Sequence, residues 1–187
     1  NTEARIVDLL MGGPVGPGDI GELVIRGPQI MDGYWALDED TEATLRDGWL
    51  YTGDVARMDA DGYFQIISRK KDMWFMRRSG QPTPAFPRDI EEVIYEIPGV
   101  TETAVIGVSN FPVAFVTVNR PVEPGTIKGY CARRLPADLV PRLVVFVDEL
   151  PKSFIGKVIR RNLLDRIPPQ QRAELNIVSD RIDEMLE

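Results

Sequence analysis

The chain has 187 residues, 43% hydrophobic and 27% charged, with 22 Lys and Arg against 29 Asp and Glu for a net charge of -7. That length allows one domain, or a small domain plus part of another, with a buried core, and the composition lies outside the disordered, collagen-like and disulfide-scaffold ranges. The acidic balance opposes nonspecific attachment to a phosphate backbone, so nucleic acid is not an expected partner, and no apolar run reaches the ~20 residues of a membrane span.

A single cysteine, Cys131, forms no internal disulfide and reads as a buried structural thiol inside a helix. With no histidine, the usual zinc ligand sets and Ser-His-Asp or Cys-His catalysis are excluded, no carboxylate cage for a metal is visible, and Lys, Asp, Glu and Arg remain for chemistry. The opening Asn1-Thr2-Glu3-Ala4-Arg5 lacks an export signal, so a cytoplasmic protein is the default expectation. Since the first residue is not Met and the opening already reads as strand, the chain is expected to begin inside a longer protein.

In chain order, Ala4 to Leu10 and Glu22 to Arg26 read as strands joined through the Gly- and Pro-rich Met11 to Gly18. Prolines 14 and 17 remove N-H donors that a phosphate loop would need. Asp38 to Arg46 reads as a short helix ended by Asp47-Gly48. Trp49 to Met58 and Tyr63 to Ile67 flank Asp59-Ala60-Asp61-Gly62, a hairpin signal. A charged break at residues 68 to 72 and a segment with three prolines, Arg77 to Pro87, follow and mark the best internal boundary.

Beyond it, Pro87 to Ile97 reads as a helix stopped by Pro98-Gly99, and Thr126 to Leu135 as another. Strands are expected over Thr103 to Val108, Pro112 to Val118 and Leu143 to Val147, and helices over Lys157 to Ile167 and the amphipathic tail Pro168 to Glu187. The expected fold class is α+β: a mostly β segment, 1-70, then a small mixed domain, 71-187.

Lys157 follows a glycine within Leu150 to Arg161 and is bracketed by apolar residues. The nucleotide P-loop fails here, because Pro151 stands where its first glycine belongs and Val158 where Ser or Thr belongs. Taken alone, Lys157 is either a group that acts on something or a solvated lysine at a helix start. Adjacent Glu91 and Glu92 point about 100° apart on a helix and read as a solvated face. Trp49, Trp74 and Phe75 read as packing residues.

Taken together, Gly21 to Gly27, Gly33-Tyr34-Trp35, Tyr51-Thr52-Gly53-Asp54, Ser68 to Asp72, Pro87 to Glu92 and Pro151 to Arg160 occur in an order that closely resembles the C-terminal third of AMP-forming acyl-CoA synthetases, over roughly residues 1 to 165. The resemblance implies a protein that joins a carboxylic acid, expected to be a fatty acid, to ATP and passes the acyl group to CoA. It implies that Mg2+ enters with ATP and is held mainly by a preceding part of the protein.

By the same resemblance, Lys157 offsets charge at the α-phosphate, Asp54 and Arg69 meet the ATP ribose, and Lys71 is the hinge on which a mobile C-terminal domain turns. Residues 1-70 would then finish the large adenylating domain. Gly80 falls where the family lines its CoA tunnel, although Trp74 to Phe86 is longer, more basic and richer in proline than the family pattern.

Further departures are the short Ser109-Asn110 connection, Asp138-Leu139 in place of a Tyr-Lys pair, and bulky Phe154-Ile155, expected to reshape or shield the lysine loop. Delivery to a carrier protein, a noncatalytic binding module, and a homodimer stay open. The chain alone is expected to be inactive.

Overall fold

In the computed structural model, which describes residues 1–175, the chain divides into two compact units, Asn1–Lys71 and the residues from Asp72 on. In the first, the elements run β1 (Glu3–Val7), β2 (Ile20–Arg26), α1 (Asp38–Thr44), β3 (Leu45–Arg46), β4 (Trp49–Met58) and β5 (Phe64–Arg69). They form one antiparallel sheet in the order β1-β2-β4-β3, with β5 also paired to β4.

Helix α1 stops two residues short of the expected Arg46. Leu45 and Arg46 instead pair with Leu50 and Trp49 across Asp47 and Gly48, both at positive φ, the turn whose twist matches that of the flanking strands. The β4–β5 hairpin forms as expected, and its turn is closed by Asp59 Oδ1, which accepts the amides of Asp61 and Tyr63 at 3.0 and 2.9 Å. Trp49 is buried between the guanidinium groups of Arg5 and Arg26, 3.9 and 4.6 Å from its ring centroid.

The second unit begins with a feature the sequence did not announce. Residues read as a proline-rich break form a hairpin of β6 (Trp74–Arg78) and β7 (Gln81–Ala85), turning at Ser79-Gly80 with both φ positive. The register resolves the apparent conflict. Arg78 faces Gln81 as the closing hydrogen-bonded pair, so Pro82 opposite Arg77 and Pro84 opposite Phe75 occupy the alternate positions. At these positions the backbone nitrogen points away from the partner strand, so a missing N-H costs no ladder bond.

Then follow α2 (Pro87–Tyr95), β8 (Val100–Val108), β9 (Phe111–Val118), α3 (Pro124–Ala132), β10 (Leu143–Phe146) and α4 (Pro169–Glu174). Strands β8 and β9 are antiparallel and β10 lies parallel to β9, giving the order β10-β9-β8. Alternation along the strands sorts their residues onto two faces. Val105, Ala114, Val116 and Val144 join Ile90, Ile94, Ile127 and Cys131 on the side of α2 and α3. Ala104, Ile106, Val113, Phe115 and Val145 join Leu150, Leu163 and Ile167 on the other. Both faces being covered, the strands read as nearly continuous apolar runs.

Trp74 and Met76 carry the β6–β7 hairpin onto the first of these clusters. The contact depends on Gly107 in β8, where a Cβ would lie 2.4 Å from Trp74 Cγ and 2.8 Å from its Cβ. The chain thus has the α+β class expected. Of the expected tail helix, α4 is described and Leu175 is buried; Val178, Ile182 and Leu186 lie outside the described residues. Among the described residues no helix is long and apolar enough to cross a membrane, and no cluster of three or more Cys, Asp and Glu side chains is placed to hold a metal ion.

Candidate active site

Two irregularities in the sheet of the first unit build the site. Between Glu22↔Val55 and Val24↔Tyr51 the β2–β4 register shifts, so that β4 carries Thr52, Gly53 and Asp54 against Leu23 alone. Across the other edge, the β4–β5 register shifts between Val55 and Ala56. Bulges of this kind twist a strand and redirect its side chains. Gly53 takes φ +69, and a Cβ there would meet nothing within 4 Å, leaving open space over the backbone.

The bulge is held by hydrogen bonds. Thr52 Oγ1 donates to Leu23 O at 2.8 Å and accepts the Asp54 amide at 3.1 Å. The Gly53 amide donates to Glu22 Oε1 at 3.1 Å, and Lys70 Nζ donates to Glu22 Oε2 at 2.6 Å. Glu22 is only 4% exposed, so both oxygens of a buried carboxylate are occupied, one by backbone and one by an ammonium. Asp54 and Arg69 face each other across β4 and β5, joined by Arg69 Nη1 to Asp54 Oδ1 at 2.7 Å; the same nitrogen donates to Thr52 O at 3.2 Å.

Thr52, Gly53, Arg69, Lys70 and Lys71 line a shallow groove of about 350 Å³ beside this pair. Three residues selected from the sequence, Asp54, Arg69 and Lys71, are therefore brought to one place. The sequence did not single out Glu22 or Lys70. The available signal was an acid inside the otherwise apolar run Ile20-Gly21-Glu22-Leu23-Val24-Ile25, where a buried carboxylate demands a partner.

Lys157 and Gly80 belong to the second unit. Gly80 occupies the tip of the β6–β7 hairpin. Lys157 does not start a helix. It lies in a tight exposed loop closed by the Lys152↔Val158 bridge, with Ser153 N bonded to Lys157 O at 2.8 Å, Lys157 N to Ser153 Oγ at 3.2 Å, and Ile159 N to Pro151 O at 2.7 Å. These bonds hold residues through Ile159 out of helical geometry, and Pro168-Pro169 stops the chain soon after. The expected helix is reduced to a 3-10 segment, Arg160–Arg166. Phe154 and Ile155 stand fully and largely exposed in this loop, so they provide no buried shield among the described residues.

Glu91 corrects a second expectation. Its neighbour Glu92 is exposed and pairs with Arg88 one turn away, but the Glu91 carboxylate is mostly buried and accepts the Val105 amide on Oε1 at 2.8 Å and Arg160 Nη2 on Oε2 at 3.2 Å. Arg160 Nε also lies 3.9 Å from Asp72 Oδ2. Burial pushes the Glu91 carboxyl above its ordinary range, with Arg160 and the Val105 amide opposing that rise. The network joins α2, the stem following the lysine loop and the first residue of this unit.

Two departures in the sequence meet in space. Arg78 donates from Nε and Nη2 to Asp138 Oδ2 and Oδ1 at 3.0 and 2.9 Å, a bidentate pair that ties the β6–β7 hairpin to the turn after α3. Arg78 holds the Asp138 carboxyl below its usual range.

Residues 89–157 match the model of the AMP-binding enzyme C-terminal domain, a match that ends on Lys157, and residues 1–35 match that of the AMP-binding enzyme. The chain belongs to the adenylate-forming, AMP-binding enzyme family. Among other members, the long-chain-fatty-acid–CoA ligase of Escherichia coli O157:H7 is 40% identical, the alignment covering 88% of this chain and 30% of that protein. The 2-succinylbenzoate–CoA ligase of Geobacillus kaustophilus strain HTA426 is 35% identical over 90% of this chain and 35% of its own length.

In structure, the ATP-bound MatB of Rhodopseudomonas palustris superposes with a TM-score of 0.77 at 32% identity, over 88% of this chain and 33% of that one. The adenylate-forming family member described here thus spans about a third of the length of the relatives it matches.

Proposed function

We propose that this chain is the C-terminal part of an ATP-dependent, AMP-forming acyl-CoA synthetase that adenylates a carboxylic acid, preferably a fatty acid, and transfers the acyl group to CoA. Residues 1–70 finish the adenylating domain, and the second unit is a mobile domain that turns at Lys71 and brings Lys157 to the reacting phosphate. The carrying observation is the exposed Lys157 on a hydrogen-bonded loop in one unit, while Asp54 and Arg69 form a paired site in the other. The fatty-acid preference rests on the named ligase relatives.

The residues present fit a ribose. Asp54 Oδ1 is engaged by Arg69, whereas Oδ2 receives no hydrogen bond from the described residues, leaving an acceptor for a hydroxyl. The open backbone at Gly53 allows close approach. ATP supplies the leaving pyrophosphate. Lys157 adds a cation where carboxylate and phosphate oxygens converge, lowering the barrier as negative charge redistributes. Its flexible stem suits a group that enters and leaves. Gly80, at the hairpin tip, borders the path for CoA.

The test is ATP–pyrophosphate exchange by the full-length protein carrying this chain. Lys157→Ala should lower exchange by about 10²- to 10³-fold, as expected for removing one transition-state charge contact, and the isolated chain should show none. Equal exchange by wild type and Lys157→Ala would remove this lysine from the mechanism. A panel of acids of increasing length tests the fatty-acid preference, and CoA against a carrier protein tests the acceptor.

A further inference from the structure

The boundary between the two units falls between Lys71 and Asp72, and the residues on either side of Lys71 are each tied back into their own unit. On one side, Lys70 Nζ donates at 2.6 Å to Glu22, a carboxylate 4% exposed whose other oxygen is bonded to the Gly53 amide inside the β4 bulge. On the other, Asp72 faces Arg160, which is anchored by Glu91 on α2, whose carboxylate in turn holds the Val105 amide of β8. Lys71 has no such tie: it forms no ion pair among the described residues and lines the open groove.

We propose that Glu22 and Lys70 form a half-buried clamp, and Arg160 and Asp72 a looser counter-clamp, which together confine the pivot between the units to Lys71. The inference rests on the reading of Lys71 as the hinge and adds what keeps it one residue long. The clamps differ in firmness. The Glu22 pair is a short charge-assisted hydrogen bond with one partner buried, whereas Arg160 and Asp72 meet at 3.9 Å, attracting each other without a hydrogen bond. Rotation therefore concentrates in φ and ψ of Lys71, and the backbone of Lys70 stays with the sheet.

A pivot of fixed position sets where a swinging domain ends its arc. Arg160 lies three residues after Lys157, so the counter-clamp ties the hinge to the stem of the lysine loop within one unit. Glu22, Lys70, Asp72 and Arg160 are thus positioning residues.

Spin labels on Asp61→Cys in the β4–β5 turn and Asp148→Cys after β10 report the distance distribution between the units in the 187-residue chain. Cys131 stays unlabelled, since it is fully buried and its thiol is pushed up to about 11. Glu22→Gln frees Lys70 while keeping an acceptor for Gly53, and should widen the distribution about 1.4-fold, as expected when one free residue becomes two and spread grows as the square root of their number. Asp72→Asn should widen it similarly, Lys70→Arg should keep the wild-type width, and Lys71→Pro should narrow it.

Unchanged widths in Glu22→Gln and Asp72→Asn, with narrowing in Lys71→Pro, would overturn the clamps and leave the hinge standing. An unchanged width in Lys71→Pro would overturn the hinge and the clamps with it. Lys70→Met releases the same pair from the other side; should it alone fail to widen the distribution, the clamp is refuted. Amide protection at Gly53 confirms that the bulge is intact in each variant.

Discussion

Gly107→Ala should be among the most destabilising small substitutions in the second unit. The added Cβ would lie 2.4, 2.5 and 2.8 Å from Trp74 Cγ, Cδ2 and Cβ, where carbon atoms ordinarily rest about 3.5–4.0 Å apart. The clash includes Trp74 Cβ, so rotation of the ring cannot relieve it and the β6 backbone must retreat by about 1 Å. Overpacking typically costs about 1–3 kcal/mol. The upper end is expected, because Trp74 sits in the main cluster and losing its packing altogether would cost about 3–5 kcal/mol.

Cys131 provides the assay. The only cysteine of the chain is buried in the same cluster, so its labelling in urea reports opening of this unit. Trp74→Leu should partly rescue Gly107→Ala, with a coupling of about 1 kcal/mol or more in a double-mutant cycle. A cost below about 0.5 kcal/mol, the usual range for a neutral surface change, or strict additivity in the cycle would refute the contact as the reason for glycine at this position.

Two further predictions follow the titrating groups. Burial raises the Cys131 thiol to about 11 from 9.0, so the folded protein should resist iodoacetamide at pH 8; because the folded pKa is the higher one, the stability associated with the thiol is complete below pH 9 and declines toward pH 11, by about 2–3 kcal/mol from the linkage relation, which wild type against Cys131→Ala measures. Asp138 is held low by Arg78, so the support this pair gives the β6–β7 hairpin is present above the ordinary aspartate range and disappears as pH falls through the lowered value; hairpin amide protection should show that acid-dependent loss in wild type and not in Asp138→Asn.

The legible parts of the sequence were those where local chemistry and tertiary need agree. Asp59 and Gly62 turn β4 into β5, and apolar runs at 104–108 and 113–116 pair because both faces of their sheet are covered. The β6–β7 hairpin was hidden because proline ordinarily interrupts strands, and only the register shows that Pro82 and Pro84 fall at the tolerant positions. The stretch after Lys157 has apolar spacing suited to a helix, but the bonds from Ser153 and Pro151 use the first residues for a loop. Asp54 and Arg69 could be found by motif and are joined across a ladder; Glu22 and Arg160 act through partners 48 and 69 residues distant in sequence, which no local pattern encodes.

The sheet β8–β9–β10 is sealed on both faces by segments drawn from residues 72 to 175. On the function proposed above, such a body can turn about its tether without laying bare its interior. Every buried residue of its two clusters comes from its own stretch of chain, so the interior of this unit is complete in itself.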